Sequence, residues 1–172
     1  MYEVMEMKTI VIYQSSTGFT KQYAQWIAEE LNCEAVEIKK MPKNIGNEYD
    51  HIIYGGWIMG NMIMGLNKII NLNVKKLTIF AVGSTPSREE LVTTIRTQNK
   101  IEDQPFFYYE GGFHYDKLKL PVRMMLKMVK KSAMKKEIKT EQDEFMIKVL
   151  GTSFDHTDQL SIKGLVESFK NS

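Results

Sequence analysis

The sequence lacks several features that would place it in a narrow class. Cys33 is the only cysteine among 172 residues, so no internal disulfide can form, which fits a reducing compartment. No run of about 18 apolar residues is present, and we expect no membrane-spanning helix. The N-terminus has no basic region followed by an apolar run, which predicts no signal peptide and a cytoplasmic location. Met7 opens a strand, so Met1–Glu6 is expected to be a dispensable tail.

Motifs for several kinds of chemistry are also missing. The chain contains neither G-x-x-x-x-G-K-[ST] nor G-x-G-x-x-G, which excludes the common nucleotide-hydrolysing and dinucleotide-binding loops. His51, His114 and His156 do not stand at metal-ligand spacing from Cys33, so no metal site is predicted. No nucleophile and base are arranged as in hydrolases, and no catalytic residue is assigned. Any chemistry would therefore belong to a bound cofactor.

Charge is unevenly distributed along the chain. Hydrophobic residues make up 43% and charged residues 26%, as in ordinary globular domains, and the formal net charge is +2. Between Asp116 and Glu137, however, eight basic residues stand against two acidic ones, so the remainder carries −4. The basic excess is therefore local. No aromatic platform accompanies it, so nucleic acid is not an expected partner.

Short apolar runs alternate with amphipathic segments. Strands are predicted at Lys8–Tyr13, Glu34–Lys39, His51–Tyr54, Leu77–Val82 and Phe106–Glu110. Helices are predicted at Thr20–Asn32, Met62–Asn71, Arg88–Thr97, Pro121–Lys136 and Gln159–Lys170, the last capped by Thr157 or Asp158. This alternation predicts a single α/β domain over 1–172, with a doubly wound, five-stranded parallel sheet of order 2-1-3-4-5. Ligands of such sheets bind beside the carboxyl ends of the strands, between the first and third strands.

A loop rich in hydroxyl side chains follows the first strand, with the sequence Ser15-Ser16-Thr17-Gly18-Phe19-Thr20. A phosphate at this position would meet unpaired N–H groups, hydroxyl donors and the positive end of a helix dipole. Gly18 would allow the backbone to turn tightly beside the anion. The alternative is that the hydroxyl groups only cap the helix. The surrounding fold pattern favours the phosphate.

The motif Ser15-x-Thr17-Gly18-x-Thr20, directly after an N-terminal strand, resembles the T/S-x-T-G-x-T phosphate loop of flavodoxins. The resemblance implies a flavodoxin-like fold that binds FMN, with hydroxyl donors from Ser15, Thr17 and Thr20 and N–H donors from Ser16, Gly18 and Phe19. It also implies two loops beside the isoalloxazine ring, which by position are Gly56-Trp57-Ile58-Met59-Gly60 and Gly83-Ser84-Thr85-Pro86. Trp57 is the implied ring neighbour, and packing at a strand end is the alternative. The third loop has no aromatic residue, although flavodoxins often have one there.

The segment Gly111-Gly112-Phe113-His114-Tyr115-Asp116-Lys117-Leu118, followed by a basic, Met-rich helix, resembles the insert of flavodoxin-type protoporphyrinogen dehydrogenases. Those enzymes pass electrons from a porphyrinogen through FMN to a quinone. The resemblance places an insert at about 113–137 and implies a quinone or a redox protein as partner. For His114 and Tyr115, contact with substrate and a purely structural pair both remain open.

The insert helix is amphipathic. Its apolar face is expected to pack on the sheet, and it comprises Val122, Met125, Leu126, Val129 and Ala133. Its basic face comprises Arg123, Lys127, Lys130, Lys131 and Lys135. The basic face is either solvated or docked on an anionic membrane surface, a quinone-bearing partner or an acidic carrier.

Two functions remain open at this point. The first is an FMN-dependent oxidoreductase that acts on its own substrate, a porphyrinogen or a quinone, and the basic insert favours it. The second is a non-enzymatic electron carrier between proteins, and the acidic remainder of the chain favours it. A flavin-free binding role is a third, weaker alternative. The sequence gives no indication of oligomeric state.

Overall fold

A parallel sheet forms the centre of the fold in the computed structural model, which describes residues 7–172. The expected tail at Met1–Glu6 lies outside the described residues. The sheet strands are β1 (Thr9–Gln14), β2 (Glu34–Glu37), β3 (His51–Met59), β4 (Met62–Ile63), β5 (Lys76–Gly83) and β6 (Phe106–Glu110). Five strands are parallel in the order β2-β1-β3-β5-β6, and β4 pairs antiparallel with β3. Counting only the parallel strands, this is the predicted doubly wound order, which is confirmed.

Alternation along the central strands produces a core on each face of the sheet. Ile10 and Ile12 of β1 belong to one buried cluster, whereas Val11 and Tyr13 belong to the other. Strands of a parallel sheet are buried on both faces, which explains why β1 is apolar at consecutive positions. The cluster that contains Val11 and Tyr13 also contains buried residues of the first and last helices of the chain, so these two helices cover that face of the sheet.

Four helices belong to the doubly wound part of the chain. They are α1 (Phe19–Glu30), the short α2 (Ile45–Glu48), α3 (Glu89–Gln98) and, at the C-terminus, α6 (Lys163–Lys170). A 3-10 helix at Gln159–Ile162 leads into α6, and the Asp158 side chain accepts a hydrogen bond of 3.0 Å from the Leu160 N–H. The predicted cap at Asp158 is therefore confirmed. The sequence pattern did not predict the short α2.

The segment after β3 differs from the prediction. The predicted helix over Met62–Asn71 is wrong, because the chain forms a β3–β4 hairpin and then a 3-10 helix at Leu66–Lys68. Gly60 and Asn61 form the hairpin loop with φ of +56° and +65°. Two-residue hairpin loops with both central residues at positive φ match the twist of the strands. Gly65, at φ +82°, then prevents a helix from starting at β4.

The insert is bracketed by a two-stranded antiparallel ribbon. Its strands are β7 (Gly112–Phe113) and β8 (Phe154–Asp155), which pair Gly112 with Asp155 and Phe113 with Phe154. Between them lie α4 (Leu120–Met134) and α5 (Glu141–Val149). The helical segment therefore continues beyond the predicted limit near residue 137. The sequence analysis did not identify α5, although Thr140 and Asp143 form a capping box at its start.

The packing of α4 contradicts the expectation that its apolar face lies on the sheet. Its principal neighbour is α5, and no residue of α4 belongs to either core cluster. Of the five predicted core residues on α4, only Ala133 is buried and Leu126 is half-buried. Val122, Met125 and Val129 are exposed. Periodicity predicted the apolar face but could not show that α5, and not the sheet, covers part of it while Val122, Met125 and Val129 stay exposed.

Candidate functional site

The carboxyl ends of β1, β3 and β5 lie at one edge of the sheet. Parallel pairing aligns the end of β1 with the middle of β3, where Tyr13 is opposite Gly55 and Gln14 opposite Gly56. Pairing of β3 with β5 places Trp57 opposite Val82. From β1 the chain crosses to β2 on one side, and from β3 it crosses to β5 on the other. The three predicted loops therefore converge where the direction of winding changes, which is where doubly wound folds bind ligands.

The loop from Ser15 to Thr20 turns sharply into α1. Gly18 adopts a left-handed conformation with φ of +105°, and a Cβ added there would meet no atom within 4 Å. The Ser15 hydroxyl accepts a hydrogen bond of 3.1 Å from the Gly18 N–H. No side chain caps α1, so the alternative that these hydroxyl groups serve as its cap is wrong. The open space beside Gly18 leaves room for an anion.

Several backbone N–H groups of this loop have no hydrogen-bond acceptor among the described residues. Within residues 7–172, the N–H groups of Ser16, Thr17, Phe19 and Thr20 donate no hydrogen bond. Such groups at the first turn of a helix carry part of the positive end of its dipole. Ser16 is exposed and Thr17 is half-buried, whereas Phe19 and Thr20 are buried. The arrangement fits the phosphate of FMN, because it supplies four free donors and lacks a competing carboxylate cap.

The second predicted loop is mostly strand. Gly56, Trp57, Ile58 and Met59 all belong to β3, and only Gly60 lies in the hairpin loop. A Cβ on Gly56 would approach the Met64 carbonyl oxygen to 2.6 Å, so this glycine permits the hairpin to fold against its strand. Ile58 pairs with Ile63 and packs on a core cluster, and Met59 is exposed. A loop at these residues was therefore a wrong interpretation, although the hairpin they form ends at the same sheet edge.

Trp57 is half-buried at the end of β3. It belongs to neither core cluster, unlike Trp26, which packs against the cluster that contains α1. Side-chain alternation from Ile53 through Gly55 places Trp57 on the α1 face of the sheet. Trp57 therefore lies on the α1 face of the sheet without belonging to the core cluster there, and its contact with a ligand stays a prediction.

The third loop, from Gly83 to Pro86, is fixed by two residues of β6. The Tyr108 hydroxyl donates a hydrogen bond of 2.6 Å to the Thr85 carbonyl. The Glu110 carboxylate accepts one of 3.0 Å from the Ser87 N–H, just beyond the loop. Burial raises the pKa of Tyr108, which keeps the hydroxyl protonated as a donor. The residues from Gly83 to Pro86 are all half-buried.

Sequence reasoning missed Tyr108 and Glu110 because it treated Phe106–Glu110 only as a strand. Alternation would have offered a signal, since two adjacent tyrosines in a buried strand must face opposite cores. Tyr109 stacks on Tyr23 of α1 with ring centroids 4.8 Å apart, while Tyr108 turns toward the third loop. Glu110 then follows at the carboxyl end, where a polar residue contacts loops and not the core.

The insert contacts the first loop and the start of α3, which follows the third loop. The rings of Phe19 and His114 stack with centroids 4.6 Å apart and planes inclined by 13°. Gly112 lies under the Phe19 ring, and a Cβ there would reach its Cζ at 2.6 Å. On the other side, Arg88 at the start of α3 forms an exposed ion pair with Glu141 of α5. The structure thus places His114 against the phosphate loop, while Tyr115 contacts Arg123 through a cation–π interaction of 5.4 Å.

Three comparisons with known proteins bear on this geometry. A family model described as "Flavodoxin domain" matches residues 10–140, which include all three loops and most of the insert. No curated protein matches the chain. The fold is similar to a solved putative flavoprotein from Bacteroides uniformis, at 20% identity and a TM-score of 0.47, covering 61% of this chain and 91% of that one.

Two further solved structures show the same extent of similarity. Oxidised flavodoxin 2 from Bacillus cereus is 20% identical, with a TM-score of 0.42, and the match covers 59% of this chain and 84% of that one. A flavoprotein in complex with FMN from Lactobacillus acidophilus is 17% identical, with a TM-score of 0.43 and coverage of 61% and 93%.

Proposed function

The chain belongs to the flavodoxin domain family, and on that premise we propose that it is an FMN-dependent electron-transfer oxidoreductase. Family membership supports the predicted cofactor. The observation that carries the proposal is the Ser15–Thr20 loop, with Gly18 at φ +105° and free N–H groups around it. When bound, FMN supplies the transfer of one or two electrons. The protein binds it, orients it and controls access to its ring.

Each loop has a distinct part in holding the cofactor. The N–H groups of Ser16, Thr17 and Phe19, with the Thr17 hydroxyl, would hold the phosphate through charge-assisted hydrogen bonds. Trp57 would cover part of the isoalloxazine and exclude water from it. The third loop, held by Tyr108 and Glu110, would border the ring with backbone groups because it has no aromatic side chain.

The position of the insert supports an oxidoreductase over a plain carrier. A carrier must expose its flavin edge to two different proteins in turn. Here the insert contacts the phosphate loop through His114 and the third-loop region through Glu141. An element in that position can contribute to a substrate site beside the ring, and a porphyrinogen or a quinone is the substrate class we propose.

The electron carrier remains the second candidate, because the chain outside Asp116–Glu137 carries a net charge of −4. An acidic surface around the flavin would attract basic redox partners. Under this alternative the insert would set partner specificity and would not form a substrate site.

One experiment separates these functions. The purified protein is reduced and reoxidised anaerobically, with a porphyrinogen as donor and a soluble quinone as acceptor, and the visible spectrum of the released chromophore is recorded first. Turnover with either small molecule, at rates that depend on its concentration, supports the oxidoreductase. Electron exchange only with redox proteins supports the carrier. A colourless protein that takes up no FMN would overturn both.

A further inference from the structure

The most unusual surface of the molecule is the outer side of α4. Large apolar side chains there are exposed, among them Met128 at 72%, Leu120 at 69%, Met124 at 60% and Met125 at 56%. Monomeric proteins seldom expose so many large apolar residues on one element, and such patches mark interaction sites. None of these side chains belongs to a core cluster. They therefore have no role in the stability of the sheet.

Basic residues lie among these exposed apolar side chains. At 100° per residue, Lys131 and Lys135 lie on either side of Met124, and Lys127 lies between Leu120 and the side that packs on α5. The helix from Leu120 to Met134 contains no acidic residue. All three lysines are exposed, and within residues 7–172 none of their ammonium groups donates a hydrogen bond or forms an ion pair. Their charges are available to an external anion.

A groove between α4 and the end of α5 continues the same surface. Its volume is about 440 Å³, and its lining combines apolar Leu120, Met124 and Leu150 with Arg123, Lys127 and Lys130. The Lys130 Nζ donates to the Leu150 carbonyl at 2.9 Å, and Arg123 donates to the Leu118 and Asp116 carbonyls. These bonds hold two cations at the rim of the groove. An apolar floor with a cationic rim suits an anionic headgroup that is joined to an acyl chain.

We propose that α4 is an interfacial helix that seats the protein on an anionic phospholipid bilayer, with Met124, Met125 and Met128 inserted among the acyl chains. The long side chains of Lys127, Lys131 and Lys135 would then extend back to the lipid phosphates, with their methylene groups lying along the apolar surface. Charge complementarity selects this occupant. A second copy would bring two helices of the same positive charge together, and an acidic soluble partner would not require unbranched apolar side chains around the lysines.

This arrangement differs from adsorption by charge alone. Met124, Met125 and Met128 are exposed, so binding combines electrostatic attraction with burial of apolar area. No helix among the described residues is long and apolar enough to cross a membrane. The helix would lie in the plane of the interface and leave the sheet in water. The proposal concerns attachment and does not depend on whether FMN is bound.

The test measures sedimentation of the full chain with vesicles of phosphatidylglycerol and phosphatidylcholine, or of phosphatidylcholine alone. Binding to the anionic vesicles should be at least about tenfold tighter, and 0.5 M salt should weaken it. The variants Lys127, Lys131, Lys135→Gln and Met124, Met128→Gln should each lose about tenfold or more. A matched control, Lys43, Lys163, Lys170→Gln, changes three exposed lysines elsewhere and should bind like the wild type.

Insertion is read separately with an environment-sensitive fluorophore on Met128→Cys in a Cys33→Ala background. Its emission should shift to the blue with anionic vesicles, whereas the same label on Lys170→Cys should not shift. Met128 and Lys170 are both exposed, so the two cysteine substitutions should leave the thermal unfolding temperature unchanged. The two labelled variants can therefore be compared directly. Equal binding to both vesicle types, no binding, lysine-dependent binding without a blue shift, or an α4-dependent dimer in place of vesicle binding would each overturn the proposal.

Discussion

The aromatic rings of Phe19 and His114 lie nearly parallel, with 4.6 Å between their centroids. Phe19 is the first residue of α1 and ends the phosphate loop, whereas His114 is the first residue after β7. The pair therefore joins the N-terminus of α1 to the start of a long insert. A movement of the insert would therefore also move Phe19, and with it the loop that would hold the phosphate.

Replacing His114 with Ala should weaken FMN binding by about three- to tenfold, because the loss of a stacked pair costs about 0.5–1.5 kcal/mol. The dissociation constant is measured by the quenching of flavin fluorescence. His156→Ala is the matched control, since that ring packs at a tilt against Phe154 of the ribbon and not against Phe19. Equal effects of the two variants would contradict a specific role for the stack.

Thr17→Ala should weaken FMN by about 1–3 kcal/mol, which is the cost of losing one hydrogen bond to a charged group. Riboflavin lacks the phosphate, so its affinity should be lower than that of FMN and insensitive to the substitution. Calorimetric titration of FMN and riboflavin into the wild type and into Thr17→Ala measures the four dissociation constants that are compared. Similar affinities for FMN and riboflavin in the wild type would show that the loop has been misinterpreted.

The two tryptophans allow a controlled test of ring contact. In a Trp26→Phe variant, Trp57 is the only tryptophan left, and FMN should quench its fluorescence strongly. In the reciprocal Trp57→Phe variant, quenching should be weaker and the flavin reduction potentials should shift. Unchanged potentials, with equal quenching in the two variants, would place Trp57 away from the ring.

Adjacent tyrosines of β6 should respond oppositely to loss of their hydroxyl groups. Tyr108→Phe removes the bond to the Thr85 carbonyl and should lower the free energy of unfolding by about 1–2 kcal/mol. Tyr109→Phe should be neutral or stabilising, because the buried Tyr109 hydroxyl has no hydrogen-bond partner within residues 7–172. Urea denaturation measures both. A Tyr109→Phe variant as unstable as Tyr108→Phe would refute this account.

His51 should make the protein sensitive to mild acid. Burial, with the nearby Lys76 charge, lowers the pKa of His51 to about 4, below its ordinary value of 6.5. Between those two pH values the unfolded chain takes up a proton that the folded chain does not. Stability should therefore fall as pH decreases from about 6.5 to about 4, by about 2–3 kcal/mol in all.

The control is His51→Gln, which can still pair with the Thr78 hydroxyl but does not titrate. Its denaturation midpoints should decline less steeply over the same pH range. Parallel pH profiles for the variant and the wild type would assign the acid sensitivity to other groups.

The local sequence pattern was sufficient to predict much of the sheet and the turn between β1 and α1, but not the segments whose structure depends on a few backbone angles. The strand Phe106–Glu110 was predicted with its correct limits because its residues are apolar and bounded by turn-forming neighbours. Gly60-Asn61 was overlooked as a hairpin loop, since the apolar residues on either side also suit a helix. The capping box of α5 was not recognised because Asp143 occupies its third helical position, where glutamate or glutamine is usual.

The loops of the candidate site illustrate a second limit. Sequence order placed Trp57 and Gly83 at the correct sheet edge, because parallel strands end together. It did not reveal that Tyr108 and Glu110 of a neighbouring strand hold the third loop. Those contacts join residues more than 20 positions apart and depend on strand register, which a short window of sequence does not contain.

The ribbon that pairs Gly112 with Asp155 brings the two ends of the insert side by side. An inserted segment whose two ends lie side by side can be lengthened, replaced or lost without changing the strand order or register of the main sheet. In this sense α4 and α5 form a cassette that is attached to the sheet at a single point. The same phosphate loop could therefore acquire a new partner or location through changes confined to this cassette, at little risk to folding.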